Sequence, residues 1–173
     1  DLRNIRFGGP APPPGELEKK FALIRAARSA VNQRAPQLPE SWKNARMNSH
    51  DFNELTGRID ELLNSARRHG AKVVMSSHAY QHTPAKMGTE ALSELGELCV
   101  LMQMHPDDVV RLYRDYNQLV RGIAERKNMP FADVQAAVPS DRKYWGDSLH
   151  FTAAGSELAA QVMADTLLAT GWL

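Results

Sequence analysis

The sequence predicts an α/β domain with parallel strands, and three observations carry that expectation. Segments with helical periodicity alternate with two short runs of strand character, Lys72-Val73-Val74-Met75-Ser76 and Met129-Pro130-Phe131-Ala132-Asp133-Val134. Long crossovers containing helices separate these runs, as parallel strands require. The composition is that of an ordinary globular protein, 43% hydrophobic and 24% charged over 173 residues. That length supports one core and is short for two.

In chain order, Gly8-Gly9-Pro10 and Pro12-Pro13-Pro14-Gly15 break any regular element and read as an extended loop. A helix is expected from about Glu16 to Asn32, with Leu17, Phe21 and Ile24 on its apolar face. An irregular stretch from Ala35 to Ser49 comes next, holding Pro36, Pro39 and Trp42. Asp51, with Glu54 three residues on, suggests an N-cap and a near capping box. The helix it opens carries Leu55, Ile59, Leu62, Leu63 and Ala66 as one stripe, and His69-Gly70 supplies its stop. The strand at 72–76 is next, then a polar loop from His78 to Gly88 and a helix over roughly Thr89 to Met102. After Pro106 the longest helix reaches about Lys127, with Val109, Tyr113, Tyr116, Val120 and Ile123 at helical spacing. The second strand, at 130–134, leads to a loop ending at Phe151. Thr152 then caps a last helix with Leu158, Val162 and Leu167 inward. Two strands do not make a stable sheet core, so the domain reads as incomplete.

Charge and cysteine content narrow the function classes. Lysine plus arginine total 21 against 20 acids, a net charge of +1, and no basic stripe offers a footprint for nucleic acid. Cys99 is the sole cysteine, so no intrachain disulfide forms, and its apolar neighbours mark it as a buried small hydrophobe. No run approaches the roughly 18 apolar residues of a membrane span. Asp1-Leu2-Arg3-Asn4 is not the start of a signal peptide, and the beginning reads as cut.

The segment that carries chemistry is Trp145-Gly146-Asp147-Ser148-Leu149-His150-Phe151-Thr152-Ala153-Ala154-Gly155. An acid and a histidine three apart, between a strand and a capped helix, can present both side chains to one place. A carboxylate accepting from Nδ1–H fixes the imidazole tautomer, and Nε2 can then take a proton from a hydroxyl. That is the base half of a nucleophilic triad, at the strand end where α/β domains bind ligands. A surface aspartate bonding locally beside a solvated histidine is the bland alternative.

Asp147-x-x-His150 followed by Phe151-Thr152-x-x-Gly155 and an amphipathic helix resembles the last block of the SGNH (GDSL-type) serine esterases and lipases. Tyr116-Asn117, the 129–134 strand and the helix ending at Gly70 before Val73-Val74-Met75 keep the same order. The resemblance runs from about Phe52 to the end. It is thin over residues 4–50, which are expected to be a variable insertion within a single domain spanning 1–173. Asp1-Leu2-Arg3 is similar to the residues just after the family's Gly-x-Asn-Asp block. The resemblance implies a three-layer α/β/α, flavodoxin-like fold whose first strands precede residue 1. It also implies a cofactor-free acyl transfer from a small-molecule ester, acylated sugar or lipid, with His150 as general base and Asp147 as its orienting acid. The family's serine nucleophile and its glycine and asparagine oxyanion donors find no counterpart here, so this chain alone is expected to be inactive.

Gly146-Asp147-Ser148-Leu149 spells the family's nucleophile block out of place. Polar Asp141-Arg142-Lys143 stands where an apolar strand should precede it, and a serine wedged between acid and base has no room to be activated by its neighbour. Ser148 is therefore rejected as nucleophile. His78 and His82, four apart in a proline-containing loop, are expected to be solvated or substrate-facing. A metal-dependent hydrolase using His78, His82, Asp147 and His150 stands as an alternative, as does a non-catalytic α/β interaction module.

Overall fold

The computed structural model describes residues 51–172, and the expectations for the helix at 16–32 and the segment at 4–50 lie outside them. The order is α1 (Asn53–Arg68), β1 (Met75–Ser76), a 3₁₀ turn (Gly88–Ala91), α2 (Leu92–Met102), α3 (Pro106–Arg126), β2 (Phe131–Ala132), α4 (Val134–Ala137) and α5 (Ala153–Ala169). The chain is thus α/β, and β1 pairs with β2 in parallel, with Met75 opposite Phe131 and Ser76 opposite Ala132.

Each strand is fed by a helix that stops in the same way. Gly70, at φ 70°, comes after α1, and Ala71 N–H reaches back to Ala66 O at 2.9 Å. Asn128, at φ 50°, comes after α3, and Met129 N–H reaches Ala124 O at 2.8 Å. Both are Schellman stops, which need a left-handed residue that glycine and asparagine supply cheaply. The strand then starts within a few residues of the stop.

Alternation along the strands divides the core. Val73, Met75 and Phe131 pack with Ile59 and Leu63 of α1 and Val120, Ile123 and Ala124 of α3. Val74 and Ala132 face the other way, onto Trp145 and Leu158, Ala159, Val162 and Met163 of the last loop and α5. Helices on both faces of a parallel pair make three layers. A third cluster of Leu92, Leu95, Leu98 and Cys99 from α2 with Val109 and Tyr113 from α3 closes one end. Cys99 is fully buried, and that burial pushes its thiol up to about 12, far from thiolate reactivity. Among the described residues no helix is long and apolar enough to cross a membrane.

Several expectations need correction. The strands are two residues each, not five. Pro130 has no N–H to extend the ladder, and Asp133 leaves it to cap α4, its Oδ1 accepting from Ala136 N–H at 3.3 Å. Val134 is therefore helical. Asp51 does not cap α1: its carboxylate accepts from Asn53 N–H at 2.9 Å, Phe52 holds the cap position, and Glu54 pairs with Arg58 instead. Leu62 is off the buried stripe, 69% exposed, because the inward face runs through Leu55, Ile59, Leu63 and Ala66.

Candidate active site

The turn bearing Asp147 and His150 is a closed loop. Trp145 and Phe151 form an antiparallel bridge, Gly146 N–H donates to His150 O at 2.7 Å, and Thr152 N–H donates to Tyr144 O at 3.0 Å. The Trp145 indole is buried, donates to Pro139 O at 2.8 Å, and lies against the Phe151 ring at 4.7 Å. Thr152 caps α5 as expected, accepting from Gly155 N–H at 3.2 Å, while its hydroxyl donates to Lys143 O at 2.6 Å. Gly155 is there because the helix start presses on the loop: a Cβ on it would run into the Tyr144 carbonyl and come within 3.1 Å of Phe151 Cβ.

Inside that loop the two expected residues meet. His150 Nδ1 lies 2.8 Å from Asp147 Oδ1 and 3.0 Å from Oδ2. Oδ1 also accepts from the backbone N–H groups of Leu149 at 2.8 Å and His150 at 2.9 Å. The Asp147 side chain is 6% exposed and that of His150 62%. A carboxylate accepts from each of these groups, so in the neutral form of the ring this contact favours the tautomer with its proton on Nδ1 and the lone pair on Nε2.

Ser148, between them, is buried and points away: its hydroxyl donates to Glu94 O at 2.6 Å, and its carbonyl accepts from Gln81 N–H at 2.8 Å. It ties the turn to α2 and to the loop after β1. Glu94 itself is a buried acid on a mostly apolar helix, accepting from Thr83 N–H at 2.7 Å, from the Thr83 hydroxyl at 2.8 Å and from Lys86. Burial alone raises its pKa, but the Lys86 and Thr83 bonds outweigh it and hold the carboxyl below the usual range. Sequence reasoning passed over Glu94, whose one visible signal is an acid at an inward position of a mostly apolar helix.

The loop from Ser77 to His82 is fixed from both sides. Ser77 donates to Asp133 Oδ1 at 3.0 Å and accepts from Gln135 N–H at 2.8 Å, and the Gln135 side chain clasps the Tyr80 backbone. Asn117 of α3 accepts from His78 N–H at 2.7 Å and donates to His78 O at 3.0 Å. His82 corrects an expectation: it is buried and stacked on Tyr80 rather than solvated, and this desolvation lowers its pKa. His78, by contrast, is exposed. The four residues of the metal alternative are not drawn together, and among the described residues no three His, Cys, Asp or Glu side chains gather to hold an ion.

No curated protein matches the chain. The crystal structure of a GDSL-like lipase from Bacteroides thetaiotaomicron is similar to it at 16% identity and a TM-score of 0.45, covering 70% of this chain and 55% of that one. The chain therefore spans little more than half the length of that lipase. The profile of the GDSL-like lipase/acylhydrolase family matches residues 22–158, most of the 173 and including the Asp147–His150 turn, and the chain belongs to that family.

Proposed function

We propose that this chain supplies the acid–base half of a serine acyl hydrolase, with His150 as general base and Asp147 as the acid that orients it. The observation that carries the reading is the division of labour between a buried carboxylate and an exposed imidazole 2.8 Å apart. In this reading Nε2 takes the proton of a serine hydroxyl as its oxygen attacks the ester carbonyl. The resulting imidazolium is held by Asp147 and returns the proton to the departing alkoxide, leaving an acyl-serine that water clears by the same steps. The serine and the oxyanion donors belong to chain preceding Asp1, in keeping with the order of the family's blocks. The substrate is a carboxylic ester, an acylated sugar or a lipid, and the step calls on no cofactor.

The test is hydrolysis of a chromogenic acetyl ester by the full-length protein and its His150→Ala variant. The variant loses kcat by orders of magnitude and keeps its melting temperature, while the 173-residue chain alone turns over no ester. Near-normal turnover by His150→Ala, or hydrolysis by the chain alone, refutes the assignment.

A further inference from the structure

A run of stacked rings crosses the loop after β1. His78 lies on Tyr113 with ring centroids 5.1 Å apart and planes at 15°. Tyr113 lies on Tyr80 at 4.8 Å and 27°, and Tyr80 on His82 at 6.2 Å and 15°. Tyr116 meets the His78 ring edge-on at 6.4 Å. One end of the run, His82, is buried, and the other, His78, opens to solvent. The exposed end stands at the carboxyl end of β1, two residues past Ser76. The chain leaving the same end of β2 passes through α4 and on to the Asp147–His150 turn, which bonds back to the loop after β1 through Gln81 N–H and Ser148 O. The two are also joined by Leu149, which packs on the cluster holding Tyr80 and Tyr113.

We infer that His78 is a specificity-determining residue, an exposed stacking platform for a ring carried by the substrate, either an arene or a pyranose. Its placement suits that role in three respects. The Asn117 side chain grips both backbone polar groups of His78, so the ring's position does not depend on what the imidazole itself bonds. Tyr113 and Tyr116 support one face and an edge of the ring, leaving a pre-ordered surface whose rotamer entropy is already spent. Partial burial also lowers the pKa of His78, which favours the neutral imidazole and its flat, uncharged face. Rings with a flat C–H or π face stack on such surfaces, and linear alcohols do not gain the same contact.

The inference rests on the proposed ester hydrolysis, and its test separates the two. In the full-length protein, kcat/KM is compared for phenyl acetate, an O-acetylated pyranoside and butyl acetate across wild type, His78→Ala and His78→Phe. The expected result is a loss of about 3- to 10-fold in His78→Ala for the arene ester, the pyranoside ester or both, with butyl acetate unchanged and with His78→Phe restoring the affected substrate. Whichever ring ester responds identifies the source of the ring. An equal fall on all three esters, or no fall on any, overturns the inference. A wild-type protein inactive on all three, or one unaffected by His150→Ala, instead overturns the proposed function.

Discussion

Replacing Asp147 by asparagine changes one atom and its protons, and the geometry dictates the consequences. The asparagine oxygen keeps the place of Oδ1 and goes on accepting from the Leu149 and His150 N–H groups, so the turn stays closed. The amide nitrogen takes the place of Oδ2, 3.0 Å from His150 Nδ1, and brings N–H groups where an acceptor stood. Nδ1–H still has the amide oxygen at 2.8 Å but now also faces the amide N–H, so the tautomer with its proton on Nε2 gains population, and in it the nitrogen that must act as base is blocked. The imidazolium of the reacting state also loses its counter-charge. Two unit charges about 4 Å apart at an effective dielectric near 20 are worth about 4 kcal/mol, and the 62% exposure of His150 reduces this to about 2–4 kcal/mol. At 1.36 kcal/mol per decade that is roughly 30- to 1000-fold, and the tautomer change adds to it, so kcat falls by about 10²–10⁴. Asp147→Ala has the same kinetic effect but also strips the acceptor from two backbone N–H groups, so it lowers stability where Asp147→Asn does not. Nitrogen-15 shifts of the His150 ring read the tautomer on this chain directly, and ester turnover by the full-length protein reads the rate. If Asp147→Asn keeps near-normal kcat, or its ring spectrum matches wild type, the carboxylate does not orient the base.

Three further expectations come from the supports of the turn. Ser148→Ala removes the bond to Glu94 O but no reacting group, so the full-length protein keeps kcat within about tenfold; a loss matching that of His150→Ala makes Ser148 the nucleophile after all. Gly155→Ala, which in an open helix stabilises, here forces the Cβ against the Tyr144 carbonyl. We expect a cost of about 1–3 kcal/mol and a melting point lowered by several degrees, and an unchanged or raised melting point refutes the close approach. Glu94 has a folded pKa below its ordinary 4.5, so its contribution is complete above about pH 4.5 and is lost as pH falls through the folded value. The melting-point gap between wild type and Glu94→Gln should therefore narrow on acidification below that point, and a gap that widens contradicts the sign.

The features legible in the sequence were local ones. Periodic apolar stripes located α1 and α3, and the Thr152 cap located the start of α5, because such signals are decided within a few turns of chain. The Asp147–His150 contact was legible for the same reason, since a three-residue offset inside one turn leaves the side chains few other places to go. Strand length was not legible, because it depends on which N–H groups find a partner across the sheet, and Pro130 and Asp133 end the ladder from outside the apolar pattern. His82 looked solvated beside His78 because both sit in a polar loop. Only tertiary packing against Tyr80 buries one ring and leaves the other open. Glu94 escaped notice because its partners, Thr83, Lys86 and the Ser148 hydroxyl, identify themselves only in three dimensions.

The pairing of acid and base and the placement of the pair are therefore separate physical problems with separate solutions. Pairing is solved inside the turn, where the Asp147 carboxylate gathers three N–H groups from Leu149 and His150. Placement is solved by contacts far away in sequence, from Gln81 and Glu94 to Ser148 and from Tyr144 to the start of α5. A change at the first level alters the proton's position on the ring and so acts on the chemical step. A change at the second moves an intact pair relative to whatever it must reach, leaving the tautomer untouched. The ring spectrum of His150 distinguishes the two: it responds to Asp147→Asn and is silent to Ser148→Ala, even where both variants slow turnover.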